Sequence, residues 1–68
     1  MDLPLLETLE SRIQARTSRR VRDLDIDLAP DRIVLRGFTT TYHVKQLAQQ
    51  GVRDILPEIS LDNDIVVR

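Results

Sequence analysis

Five arginines lie close together in the first third of this chain: Arg12, Arg16, Arg19, Arg20 and Arg22. They are half of its ten basic residues and fall within eleven positions. Because a guanidinium group forms paired, charge-assisted hydrogen bonds with phosphate oxygens, the cluster predicts a patch for lipid headgroups or nucleic acid. The competing interpretation is that these charges compensate a helix dipole and pair with Glu7, Glu10 and nearby aspartates. We favour the second interpretation by a narrow margin.

Three aspartates alternate with apolar residues directly after the arginines: Asp23, Asp25 and Asp27. A calcium loop of the EF-hand type needs a glycine at its sixth position and a glutamate at its twelfth, and this stretch has neither. On a strand the three carboxylates share one face, about 6.5–7 Å apart. Arg32 and Arg36, in the next strand, have the spacing that places both side chains on the same face as these aspartates. The pattern therefore predicts a row of opposite charges across two strands on a solvated face.

Residues suited to catalysis are few. His43 is the single histidine, stands beside Tyr42 and has no metal-ligand spacing to a second ligand, so we expect it to be exposed. The three serines lack a nucleophile-elbow motif, and no glycine-rich phosphate loop is present. Gly37 ends an apolar run, and we interpret it as a structural glycine. We predict no enzymatic activity, no cofactor and no metal site.

Length and composition indicate the size and general class of the protein. The chain has 68 residues, of which 41% are hydrophobic and 31% charged, and a net charge of −1. This predicts one domain spanning residues 1–68. The net charge gives no overall attraction to nucleic acid or to an anionic membrane, which leaves only a local patch to bind either of them. There is no cysteine, no basic leader and no apolar run of about 20 residues. The sequence as given predicts a cytoplasmic protein, or a periplasmic or envelope-associated one if it is a fragment of an exported chain.

The spacing of apolar residues predicts five elements. A period near 3.6 indicates helices at about 4–17 and 41–55, and alternation indicates strands at about 21–28, 32–37 and 61–67. Two strands so close in sequence form an antiparallel hairpin, whereas a strand–helix–strand connection returns parallel. The expected fold is α+β, an αββαβ two-layer sandwich with two helices packed on one face of a three-stranded mixed sheet.

Two stretches of the chain resemble a known family. In the first, the strand Ile33-Val34-Leu35-Arg36-Gly37 is followed by Thr41, Lys45 and Ala48. In the second, Leu61-Asp62-Asn63-Asp64-Ile65-Val66-Val67 is similar to a closing strand of the form V-x-N-x-L-x-V. Together they resemble the BON domain, the bacterial OsmY and nodulation family. Where that family has Gly-Val before the last strand, this chain has Pro57-Glu58.

The resemblance implies a non-enzymatic binding or tethering module that docks on a protein partner or an anionic phospholipid surface. It also implies structural roles for Gly37, Thr41, Ala48 and Asn63. Two other functions stay open. A small α/β module can bind nucleic acid, although acidic residues in place of stacking aromatics on the exposed sheet face argue against this for the present chain. A last strand at the sheet edge can pair with a second copy, so the oligomeric state is left open.

Overall fold

Two helices and three strands follow one another in the predicted αββαβ order. The computed structural model describes residues 3–68. Its elements are α1 (Leu3–Thr17), β1 (Arg22–Leu28), β2 (Arg32–Thr39), α2 (Tyr42–Ile55) and β3 (Ser60–Val67). Within the described residues, neither helix combines the length and apolar character needed to cross a membrane.

The element ends are set by local chemistry. Strand β2 continues past Gly37, its predicted last residue, to Thr39, because Phe38 and Thr39 still pair with β3. Helix α2 starts at Tyr42, since Thr41 is its N-cap: its backbone is extended, and its hydroxyl accepts a hydrogen bond of 3.2 Å from the Val44 N–H. These shifts of one or two residues leave the order of elements unchanged.

The sheet has the strand order β1-β2-β3, with β1 and β2 antiparallel and β2 and β3 parallel. Both helices pack on the same face, so the predicted two-layer α+β fold is confirmed. Among the residues whose burial the structure describes, nine hydrophobic residues are buried between the layers, and all of them are aliphatic. They are Leu9, Ile13, Val21, Ile33, Leu35, Val44, Ala48, Val52 and Ile65.

The two helices approach closely at Gly51. A Cβ atom at that position would lie 3.0 Å from the Ile13 Cα and 3.2 Å from its Cγ1. A side chain at this position would require the Ile13 backbone to move away by a few tenths of an ångström. The glycine that weakens α2 as a helix is therefore the one that allows α2 to pack on α1.

Gly37 has a similar role in the sheet. Its φ is +151°, and a Cβ atom there would lie 2.8 Å from the Arg22 carbonyl oxygen and 2.9 Å from Val21 Cγ1. The opposing strand is irregular at this place: its register shifts between Arg22 and Asp25, and Asp23 has a φ of +54°. Gly37 thus accommodates a β-bulge at the start of β1.

We expect Gly37→Ala to destabilise the domain by at least about 2 kcal/mol, because it adds both an unfavourable φ and a clash with backbone. Urea unfolding followed by circular dichroism measures this change. Ser60→Ala, at an exposed position of β3, is the control and should stay within about 0.5 kcal/mol of the parent. An equally stable Gly37→Ala variant would contradict the assignment.

Candidate functional site

The arginine cluster is divided by the end of α1. After Thr17 the chain turns through Ser18 and Arg19, which have left-handed φ values of 54° and 58°. The Arg19 N–H donates to the Gln14 carbonyl (3.0 Å) and the Arg20 N–H to the Thr17 carbonyl (3.1 Å). Such conformations are uncommon outside glycine and here close the helix. The turn separates the arginines on α1 from those that lead into β1.

Arg16 belongs to the helix-packing interface. Its Nε and Nη2 donate to the two carboxylate oxygens of Asp54, each at 2.8 Å, which joins α1 to α2. These hydrogen bonds hold the pKa of Asp54 below its usual value, and the charges of Arg16 and Arg12 act in the same direction. Arg16 therefore compensates an acidic residue, as the competing interpretation proposed, but its partner is Asp54 rather than Glu7, Glu10 or an aspartate of β1.

Arg19 lies beside the acidic side of α1. It borders a shallow surface depression together with Glu7, Glu10 and Gln14. Its charge is therefore partly balanced by nearby carboxylates, although no ion pair within 4.0 Å is formed there among residues 3–68. Arg12 and Arg19 are exposed and border two surface depressions on α1, and neither depression has a second arginine in its lining.

Arg20 and Arg22 reach a different place, at the end of the sheet. They line an open cleft of about 470 Å³ together with Phe38 and Arg68. Asp23, Thr39 and Thr40 complete its wall. We call this site, defined by Arg20, Arg22, Phe38 and Arg68, the arginine cleft. It brings together residues from the α1–β1 turn, β2 and the end of β3.

The Arg68 side chain is held by Phe38. Its guanidinium carbon lies 4.1 Å from the centroid of the phenyl ring, a cation–π contact. The Arg68 backbone is fixed as well, because its N–H donates to the Thr39 carbonyl at 2.9 Å. A guanidinium group ordered in this way loses little side-chain entropy when it binds an anion.

The charge of the cleft is positive. Three guanidinium groups face one carboxylate, that of Asp23. In the part of the chain that the structure describes, Arg20, Arg22 and Arg68 form no ion pair within 4.0 Å. Their hydrogen-bonding capacity is therefore available to an oxyanion such as a phosphate group.

Phe38 and Arg68 were not identified from the sequence. Phe38 lay beyond the predicted end of β2, and Arg68 is distant in sequence from the arginine cluster. Alternation along the strands could have indicated the face on which each residue lies. Arg68 has the same parity as Asp62 and Asp64 along β3, and Phe38 has the same parity as Arg36 along β2. Only the parallel register, which sets Phe38 opposite Val66, places the two side chains together.

The row of opposite charges is present on the open face of the sheet, but its pairs differ from those expected. The Arg36 guanidinium lies 3.6 Å from Asp25 and 3.9 Å from Asp27. The expectation was wrong for Arg32, which pairs with Asp62 of β3 at 2.7 Å. It was also wrong for Asp23, because the bulge removes this residue from the regular alternation.

The residues that carried the family resemblance have structural contacts. Thr41 caps α2, and Ala48 is fully buried on the inner side of the same helix. Asn63 connects the layers: its Nδ2 donates to the Lys45 carbonyl (2.9 Å), and its Oδ1 accepts from the Ile65 N–H (3.3 Å). These contacts position the helix and β3 and leave no side chain of this set facing the arginine cleft.

Metal ligands are not grouped in the part of the chain from residue 3 onward, where no three or more His, Cys, Asp or Glu side chains come together. His43 is exposed at the start of α2. Comparisons with protein-family models, curated proteins and solved structures gave no match. The BON resemblance therefore stays a prediction that rests on the residues quoted for it.

The Arg16–Asp54 pair predicts a pH dependence of stability. Because folding lowers the pKa of Asp54, the pair stabilises the fold at neutral pH. This contribution begins to be lost when the pH falls below about 4, the usual pKa of an aspartate. It is lost completely once the pH is below the pKa of Asp54 in the folded protein. Asp54→Asn should lower the unfolding free energy at pH 7. Denaturant unfolding measured from pH 7 to pH 2 should show the variant and parent converging at the acid end. A constant difference across this range would contradict the linkage.

Proposed function

We propose that this chain is a non-enzymatic binding module that docks through the arginine cleft onto an anionic phospholipid surface. The observation that carries the proposal is the convergence of Arg20, Arg22 and Arg68 in one cleft without ion-pair partners among residues 3–68. Docking on phospholipid or on a protein partner is also what the BON resemblance implies.

The distribution of charge supports docking by one end of the molecule. The net charge of −1 conceals an asymmetry on the open face of the sheet. The positive end holds the arginine cleft, and the remainder of the face holds four carboxylates against two arginines. The carboxylates are Asp25, Asp27, Asp62 and Asp64. An anionic surface therefore attracts the cleft and repels the opposite end, which fixes the orientation of approach.

An apolar side chain beside the cleft favours a lipid surface over an isolated anion. Val66 lies opposite Phe38 in the β2–β3 register and is 46% exposed. Val67, which is 39% exposed, lies on the opposite, helix-facing side of β3 and is not part of this surface. Arginines that contact phosphate groups next to an exposed valine match the polar–apolar boundary of a membrane interface.

Nucleic acid is less well supported by the same geometry. A bound single strand would have to continue from the cleft along the open face, where its phosphates would meet Asp25, Asp27 and Asp64. Phe38 is the aromatic residue of the cleft, and the guanidinium of Arg68 covers its ring. Base stacking would therefore have to displace an existing contact.

We expect Arg20→Gln/Arg68→Gln to weaken binding to phosphatidylcholine vesicles that contain phosphatidylglycerol by roughly tenfold to thirtyfold. The estimate follows from about 1 kcal/mol for each basic side chain near an anionic surface. Flotation or fluorescence titration against vesicles gives the partition coefficient. Arg12→Gln/Arg32→Gln, which changes the net charge equally at other sites, is the matched control and should change binding less than threefold.

Vesicles of phosphatidylcholine alone should bind weakly, and added salt should weaken binding to the anionic vesicles. The proposal fails if the parent does not bind anionic vesicles, or if both double variants bind equally. Single-stranded RNA that binds more tightly than the anionic vesicles, with the same loss in Arg20→Gln/Arg68→Gln, would assign the cleft to nucleic acid instead.

A further inference from the structure

Strand β1 leaves one edge of the sheet unpaired within the described chain. The Ala29 N–H donates to the Arg32 carbonyl at 2.9 Å, and in an antiparallel pair such bonded positions recur at every second residue. The backbone groups of Asp25 and Asp27 therefore face β2. Those of Ile26 and Leu28 point outward, where they can bond to a further strand.

The helix side of β1 is incompletely covered. Leu24, Ile26 and Leu28 face the helices but are only partly buried, unlike the inward residues Ile33 and Leu35 of β2. A small groove of about 130 Å³ lies between α1 and β1 and is lined by Leu6, Leu24 and Ile26 together with the acidic residues Glu10 and Asp25. Apolar side chains from an added strand would lie against this groove and bury it further.

The opposite side of β1 is acidic. The side chains of Asp25 and Asp27 are 67% and 58% exposed, and both lie near the single guanidinium of Arg36 at 3.6 and 3.9 Å. Residues of an added strand that stand opposite these aspartates project to the same face. Basic side chains at those positions would pair with the carboxylates, and acidic ones would be repelled.

A second copy of this chain is a poor occupant of the β1 edge. Pairing β1 with β1 would set aspartates against aspartates, and β3 carries Asp62 and Asp64 on the same face. The β3 edge is also partly closed. The Arg68 N–H bonds to β2, and backbone groups alternate in direction along a strand, so the Ile65 N–H points away from β2. This outward N–H already donates a hydrogen bond to Asn63 Oδ1.

We propose that β1 binds an extended segment of a partner protein in which aliphatic residues alternate with basic ones. The segment adds a fourth strand, with its aliphatic side chains in the groove beside Leu6 and its basic side chains on Asp25 and Asp27. The bulge at Asp23 ends the regular edge before the arginine cleft. The two surfaces are therefore separate, and the protein can hold a peptide while its cleft contacts an anionic surface.

The test uses the full chain and a capped seven-residue peptide that alternates Lys and Val. Peptide binding should slow amide hydrogen exchange at Ile26 and Leu28 and shift the NMR signals of β1. Asp25→Asn/Asp27→Asn should weaken the affinity by about twofold to thirtyfold, which corresponds to the loss of two cross-strand ion pairs. Asp62→Asn/Asp64→Asn, with the same change in charge on β3, should leave it within about twofold.

Two control peptides separate strand addition from general charge attraction. A peptide of the same composition with its lysines grouped at one end, and one that alternates Glu and Val, should leave the exchange of both amides unchanged. The proposal is overturned if the Lys/Val peptide does not protect Ile26 and Leu28, or if either control protects them equally. It is also overturned if both double variants lose the same affinity, or if the two amides become protected on raising the protein concentration alone. None of these outcomes bears on vesicle binding, which depends on Arg20 and Arg68.

Discussion

The close contact between Gly37 and the start of β1 is the constraint on which the candidate site depends. With no Cβ at Gly37, the carbonyl of Arg22 can approach the β2 backbone, and the chain can bulge at Asp23. This bend places Arg20 and Arg22 at the end of the sheet, beside Phe38. A side chain at position 37 would push β1 away and separate the arginines from the aromatic ring.

Packing of the helices has a comparable effect on the rest of the molecule. Gly51 allows α2 to lie against Ile13, and Arg16 joins the helices through Asp54 at their exposed border. Because the two helices pack closely on each other, the residues of β1 that face them remain only partly buried. A small groove lined by both apolar and acidic residues therefore remains along one sheet edge.

Neighbouring surfaces of the molecule carry opposite charges. The open face of the sheet is acidic over most of its area, and the arginine cleft at its end is basic. Aspartates on both edge strands oppose pairing between copies, which natural sheet proteins commonly achieve with charged edges. The arginine cleft and the β1 edge therefore carry opposite charges, which is the basis of the two proposed docking surfaces.

The sequence by itself determined the elements, their order and the mixed sheet, because apolar periodicity and short connections leave few ways to bury aliphatic residues. It also singled out Arg16 as one of five clustered arginines, but the helix interface at which Arg16 meets Asp54 came only from the structure. The residues of the cleft depended on contacts that periodicity does not encode. Arg68 meets Phe38 only through the parallel register of β2 and β3, and Arg20 reaches them only through the left-handed turn and the bulge. Local patterns fix which face a side chain occupies, whereas the positions of distant side chains relative to one another are decided by tertiary packing.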